Sequence, residues 1–346
     1  MTRKRPTSFE VAKLAGVSRS TVSFVINGVE KANIGAATRE RVLAAARELG
    51  YVPFAAGRSL ASGRTNTIGL IISDAEHLRV DAFIPQLLYS LGSVAHEHGL
   101  QVIVEAVGTS GEHDPYRELV RSRRVDGLVV LEARVGDTKL SELARENFPL
   151  VILGASDVEE AYTVSTPHNA LPAKRATEHL IRLGHQRIAH LSYGPLEYQG
   201  ATERLQGYQQ ALAAADLPFD SALVREGNFS AESGFSAMSS LLESDAAFTA
   251  LFASNDTVAL GAMAAMRQKG VRVPDDVAVV GYDDIPLAAY AAPPLTTMRS
   301  TPFEHGRLAA QTLIKLIHGE KPEKLKVQLD LELVIRESCG AKQPVS

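Results

Sequence analysis

Apolar positions recur at helical spacing in three stretches near the amino end, then change from Thr67 onward to short apolar runs separated by amphipathic segments. In TSFEVAKLAGVSRSTVSFVIN, residues 7–27, Thr7 and Glu10 stand at the spacing of a capping box, which predicts a helix start. Val11, Leu14 and Ala15 predict that helix's apolar face. Gly16 suits a tight turn that needs positive φ, and Ser18 suits the cap of a second helix. Val22, Val25 and Ile26 are the second helix's inward stripe, which leaves Arg19, Ser20, Thr21, Ser23 and Asn27 on the opposite side. Val42, Ala45, Ala46 and Leu49 predict a third helix over residues 38–50, with Gly50 as its stop. Pro53 ends this piece, and AAGRSLASGR from Ala55 to Arg64 is short and Ala-rich, marginal as an isolated helix in water.

The runs IGLIIS, QVIVEA, DGLVVL, PLVILG, RIAHLS, ALFAS and VAVVGY predict buried parallel strands. Helical segments are predicted near residues 82–98, 113–123, 138–146, 170–183, 201–214, 231–243, 256–269 and 302–318. Alternation of this kind predicts a doubly wound α/β fold with enough units for two sheets, whose ligands sit beyond the carboxyl ends of the strands. Polar residues there are candidates for a site: Asp74, Asn255, Asp256, Asp283 and Asp284 at strand ends, and Arg204, which opens the helix in ERLQGY. A guanidinium with several carboxylates and amides suits the vicinal hydroxyls of a sugar, and the aromatic residues Phe83 and Phe229 fit an apolar core.

Composition is ordinary for a globular protein of more than one domain: 346 residues, 45% hydrophobic and 22% charged. Charge is unevenly placed. Residues 1–65 carry 11 Lys+Arg against 4 Asp+Glu, whereas the remainder carries 25 against 36. A basic end on an acidic body fits polyanion contacts confined to that end. MTRKRP is not followed by an apolar signal-peptide core and no run approaches a membrane span, so no membrane partner and a cytoplasmic location are expected. The single cysteine, Cys339, excludes an internal disulfide framework and a cysteine-built metal site.

The segment VAKLAGVSRSTVSFVING closely resembles the DNA-reading segment of the LacI/GalR family of bacterial transcription regulators, and the resemblance extends over nearly the whole chain. It implies an all-α helix-turn-helix headpiece at residues 1–53 and a hinge helix at 54–65. A two-lobed α/β core of doubly wound parallel sheets, similar to periplasmic sugar-binding proteins, follows at 66–346. The chain is expected to pass between lobes three times, near Thr166, Leu295–Met298 and Gln328. Lobe 1 would then hold residues 66–166 and 298–327, and lobe 2 residues 167–295 and 328–340. The second helix would enter the DNA major groove. Thr7, Arg19, Ser20, Thr21, Ser23, Phe24 and Asn27 are the expected headpiece contacts, and Leu60 is the expected wedge in the minor groove.

Effector contact is carried by the resemblance onto Arg204, Asn255 and Asp283 first, and then onto Asp74, Phe83 and Phe229; Asp256 and Asp284 are expected to cap a helix or turn. Several positions depart from the family pattern. Phe24 stands where an arginine usually reads a guanine, and a thymine methyl is a substitute partner. Phe9, Gly35, Phe54 and Gly57 replace usual residues of the headpiece and hinge, and His168 occupies a position usually held by an aspartate.

The expected function is a homodimeric repressor of carbohydrate-use genes. It would bind a near-palindromic operator, and a small molecule in the interlobe cleft, a carbohydrate, would control its affinity. The helix over 302–318 is a candidate dimer contact, and the tail after Val334 carries no heptad repeat for a tetramer. A nucleobase or other metabolite acting as corepressor is the alternative effector, and a solute-binding protein is the alternative class, which the basic headpiece opposes. Catalysis has little support: Walker, GxGxxG, GxSxG and HExxH patterns are absent, and His96 and His98 are too close in sequence to share a zinc face. No cofactor or metal is expected.

Overall fold

The computed structural model describes residues 6–27, 32–52, 63–107, 115–165 and 169–341. The chain divides into two units, Met1–Asn66 and Thr67–Ser346. The first contains α1 (Ser8–Ala15), α2 (Arg19–Ile26) and α3 (Ala36–Leu49). The capping box forms: the Glu10 amide donates to the Thr7 hydroxyl, and the Thr7 amide donates to the Glu10 carboxylate at 2.7 Å. Gly16 adopts φ 63° to turn the chain, and Ser18 accepts from the Thr21 amide at 3.1 Å to start α2.

Val11, Val22, Val25 and Val42 pack with alanines 12, 15, 45 and 46 as the core of this unit. These small side chains let three short helices approach closely. Leu14, expected inside, is 48% exposed. The buried arc of α1 is centred between Val11 and Ala12, which rotates Leu14 toward solvent. The third helix begins two residues before the predicted start, at a Gly35 cap that offers no side-chain bond. The predicted hinge helix, with Phe54, Gly57 and Leu60, lies outside the described residues except for its last few positions; Thr166 and His168 also lie outside them.

The second unit has two six-stranded sheets among its described residues. The first contains β1 (Thr67–Ile72), β2 (Gln101–Ala106), β3 (Gly127–Leu131), β4 (Leu150–Leu153), β5 (Tyr162–Ser165) and β11 (Lys326–Gln328), in the order β11-β5-β4-β3-β1-β2. The second contains β6 (Ile188–Ser192), β7 (Val224–Glu226), β8 (Ala250–Ala253), β9 (Ala278–Asp283), β10 (Thr296–Arg299) and β12 (Glu332–Val334), in the order β12-β10-β9-β8-β6-β7. Every pairing is parallel except β10 with β12.

The seven predicted runs all form strands. QVIVEA, however, is the half-exposed edge of its sheet rather than a buried strand. The second passage between lobes falls at Ser300 and Thr301, because Thr296–Arg299 still pairs with β9 in the second sheet. Gln328 belongs to β11 in the first sheet, so the third passage follows it, between Leu329 and Leu331.

Helices cover both sheets: α4 (Ala75–Val80), α5 (Phe83–Glu97), α6 (Pro115–Arg121), α7 (Thr138–Arg145) and α12 (Pro302–Ile317) on the first, and α8 (Ala170–Arg182), α9 (Gln199–Ala214), α10 (Ala231–Leu242) and α11 (Asp256–Gln268) on the second. Helices α10 and α11 lie against each other through two glycines. A β-carbon on Gly261 would collide with the Ala231 carbonyl, and one on Gly234 with the Val258 carbonyl. Backbone cannot yield as a side-chain tip does, so Gly261→Ala should lower stability by about 1–3 kcal/mol. An unchanged urea midpoint at unchanged slope would contradict that packing.

Candidate functional site

Two surfaces carry candidate chemistry. On the first unit, the polar side of α2 exposes Arg19, Ser20, Ser23 and Phe24, with Thr21 and Asn27 half-buried. Neighbouring side chains hold part of this face in place: the Ser18 and Thr21 hydroxyls are bonded at 2.9 Å, and Asn27 Nδ2 donates to Ser23 Oγ at 3.1 Å. Thr7 spends its hydroxyl on Glu10. Phe24 is 43% exposed because it falls outside the arc of α2 that Val22 and Val25 bury against the other helices.

The second surface lies within the core unit, between its two lobes. The passages between lobes join the β5–β11 edge of one sheet to the β10–β12 edge of the other. Farther from that edge, at the same carboxyl ends of the strands, loops after β1 and β3 meet loops after β6 and β7. Glu132, directly after β3, accepts from the Tyr193 hydroxyl at 2.8 Å, and Tyr193 directly follows β6. Arg134 lies 5.6 Å from the centre of the Tyr198 ring, and the Val135 amide donates to the Glu197 carbonyl at 3.0 Å. His77 on α4 stacks on Phe229 with ring centres 4.1 Å apart.

Behind these contacts is a cavity of about 40 Å³, lined by Phe83, Glu132, Asn169, Arg204, Ser300 and His305 among others. Small-molecule pockets are typically ~300–1,000 Å³, so a sugar-sized ligand requires the lobes to separate.

Arg204 is the electrostatic centre of this space. It lies in the second turn of α9 rather than at its start, because the helix begins at Gln199. Its guanidinium carbon sits 4.4 Å from the centre of the Tyr193 ring and 3.8 Å from that of Tyr282, and one terminal nitrogen donates to the Ser254 carbonyl. Nε is buried without a partner. Burial alone would disfavour the charge. Tyr282, Tyr193, Asp283 and Glu132 more than offset it, so Arg204 stays protonated. Asp283, at the end of β9, is buried and its carboxyl is pushed well above the usual range, chiefly by burial; Asp81, Asp256 and Glu132 push the same way, against Arg204.

The expected effector residues thus separate. Arg204 and Phe83 line one cavity, and Asp283 acts on Arg204. Asn255 caps α11 through Oδ1, accepting from the Val258 amide at 2.8 Å, and leaves Nδ2 buried and unpartnered. Asp74 is half-buried after β1 and acts on Arg134 and Tyr198 at the mouth. Phe229 is fully buried, with His77 on its ring face and Tyr193 and Tyr198 at its edges, so it is packed as core in this arrangement rather than offered to a ring. Asp284 pairs with Arg299 and Arg336 at 2.6 and 2.7 Å, and Asp256 accepts from the Ile285 amide and the Thr297 hydroxyl; both tie the β9 exit to its neighbours.

Sequence reasoning missed Glu132, Tyr193, Tyr282, His77 and His305. The first two directly follow DGLVVL and RIAHLS, so the rule that singled out Asp74 would have found them. His77 sits on a six-residue helix with no periodic signal.

Asp256 titrates at about 7, raised chiefly by burial. Its protonated form is favoured in the folded state, so the stability it contributes is complete below the pH at which an unfolded aspartate titrates, about 4, and is lost as pH rises through 7. Asp256→Asn should flatten the fall in stability between pH 4 and 7, with Asp283 leaving a residual slope in the same direction. Urea melts across that range measure it; a slope identical to that of the unaltered protein would refute the assignment.

Comparison with known proteins follows the same division. A model of bacterial regulatory proteins of the lacI family matches residues 9–53, and a periplasmic binding protein-like domain matches residues 177–339. The HTH-type transcriptional regulator CelR of Thermobifida fusca is 39% identical over 342 residues, 97% of this chain and 99% of that protein. A solved structure of a CelR–cellobiose complex is 38% identical with a TM-score of 0.73, covering 96% of this chain and 100% of that one. The lac repressor dimer bound to operator and the anti-inducer ONPF is 33% identical with a TM-score of 0.84, covering 98% and 100%.

Proposed function

Because the chain belongs to the lacI family of bacterial regulatory proteins, we propose that it is a transcriptional repressor of carbohydrate-use genes whose operator affinity is set by a sugar in the interlobe cleft. One observation carries this reading: the same chain joins a capped helix pair with an exposed polar recognition face to a two-lobed core centred on a buried guanidinium among carboxylates and aromatic rings. Arg19, Ser20, Ser23 and Phe24 reach base edges and phosphates, with Thr7, Thr21 and Asn27 holding the face and Leu60 entering the minor groove, as the family resemblance implies. Arg204, Asn255 and Asp283, with Phe83 and Asp74, receive the sugar once the lobes part.

The sugar must bind one lobe arrangement more tightly than another, since equal affinity shifts nothing. A solved relative in complex with cellobiose supports a disaccharide of this kind as effector. The protein has no catalytic role in this reading. A regulator of bacterial genes works in the cytoplasm, and no helix among the described residues is long and apolar enough to cross a membrane.

Self-association follows the lac repressor dimer. Tyr89 on α5 and Phe303 on α12 form an exposed aromatic pair with ring centres 6.2 Å apart, and Leu287 and Tyr290 expose further apolar surface on the second lobe. Together they supply the aromatic anchors that interfaces favour.

The test is fluorescence anisotropy of the purified protein on DNA upstream of its own gene at fixed salt, with random duplex as control and with neutral sugars, cellobiose included, added in turn. Sequence-specific binding that falls with log salt and changes with one sugar is the expected result. Binding no stronger than to random duplex at any condition, with no sugar response, would sink the proposal. Phe24→Ala should weaken the best operator by roughly tenfold while leaving random duplex almost unaffected, since one base-pair contact is worth ~1–3 kcal/mol. Equal loss on both would show that Phe24 does not read sequence.

A further inference from the structure

Glu132 belongs to the first lobe by sequence and to the second by contact. Its backbone has φ 57°, uncommon for a side chain of this size, and its amide donates to the Leu153 carbonyl at the end of β4. That geometry swings the carboxylate across Gly154, where a β-carbon would lie 3.1 Å from Oε1, and across Gly200 on α9, where one would lie 3.3 Å from Oε2. Gly154 thus leaves room for this side chain, and Gly200, on the other lobe, for its meeting with the Tyr193 hydroxyl, which a β-carbon there would approach to 2.5 Å. Oε2 ends 2.8 Å from the Tyr193 hydroxyl, beside the Arg204 guanidinium and on the wall of the interlobe cavity.

Carboxyls crowd this space. Asp81, Asp256 and Glu132 all push the buried Asp283 carboxyl toward its neutral form, against the pull of Arg204; Asp256 is itself raised by burial, and Asp81 pairs with His77 at 2.8 Å. The faces of Arg204 are covered by Tyr193 and Tyr282, Nη1 donates to the Ser254 carbonyl, and Nε is buried without a partner. A neutral hydroxyl has two needs. It accepts from one N–H and donates to one carboxylate, which Nε of Arg204 and Oε2 of Glu132 provide.

We propose that Glu132 is a specificity-determining residue of the effector site, which takes a hydroxyl of an uncharged carbohydrate in place of the Tyr193 hydroxyl and excludes acidic and phosphorylated carbohydrates. The inference rests on the carbohydrate reading above and narrows it to neutral sugars. The exchange is chemically even: one hydroxyl donor replaces another on the same oxygen, so a neutral ligand enters without stranding a buried charge. An anion would instead be set against the Glu132 carboxylate on the cavity wall.

The test is titration calorimetry of the full chain with matched probes, cellobiose against cellobiose 6′-phosphate and glucose against glucuronate. The unaltered protein should bind the neutral member of a pair at least tenfold more tightly. Glu132→Gln keeps an oxygen for the Tyr193 hydroxyl and removes the charge, and it should narrow that preference by tenfold or more. Glu132→Asp restores the charge in a residue that tolerates the same backbone, and it should recover most of the preference. An unchanged preference in Glu132→Gln overturns the role of Glu132, and tighter binding of the anions by the unaltered protein overturns the exclusion while leaving a carbohydrate effector standing. Binding of neither member of either pair, nor of any neutral mono- or disaccharide in a wider panel, removes the carbohydrate reading and this inference with it.

Discussion

A guanidinium cannot shed its proton at any ordinary pH, so burying Arg204 obliges the surrounding structure to match its charge. The second lobe meets that demand with the faces of Tyr193 and Tyr282, the Ser254 carbonyl and Asp283, delivered by the ends of three strands, β6, β8 and β9. The first lobe contributes Glu132. Charge matching thus draws residues from β3, β6, β8 and β9 to one point, and that point is where a doubly wound fold places its ligands.

The remaining carboxyls divide by how they are satisfied. Asp284 is held by two arginines, from β10 and from the segment after β12, which stiffens the ends of strands that flank the passages between lobes. Asp256 has no cation; a hydroxyl and an amide hold it, and burial keeps it protonated to about 7. Asn255 and Asp256 are adjacent in sequence yet serve different ends. Asn255 caps α11 and keeps a free buried amide group, whereas Asp256 is wholly engaged in fastening the β9 exit. The same logic runs through the clasp at the mouth, where Arg134, Tyr198, Glu197 and the Val135 amide join loops of opposite lobes without burying an unmatched charge. Opening the cleft exchanges these contacts for water and, in the proposed function, for sugar hydroxyls.

Helix periods, cap residues and turn glycines are local properties, and the sequence by itself determined them. Thr7 with Glu10, Ser18, Gly16 and Gly50 set the boundaries of α1, α2 and the end of α3, and seven apolar runs marked seven strands. The rule that ligands gather at strand ends singled out Arg204 and Asp283. Only the tertiary structure decided the rest, because it depends on which strand lies next to which. β5, β7, β10, β11 and β12 are three or four residues long, too short to show a period, and they exist because a neighbour completes their hydrogen bonds. Leu14 faces solvent because two partner helices choose which arc of α1 is covered, and Phe229 is sealed because His77, over a hundred residues earlier, stacks on it. Glu132 becomes part of the second lobe's charge balance through a backbone twist and two distant glycines, and no spacing within the chain records that meeting.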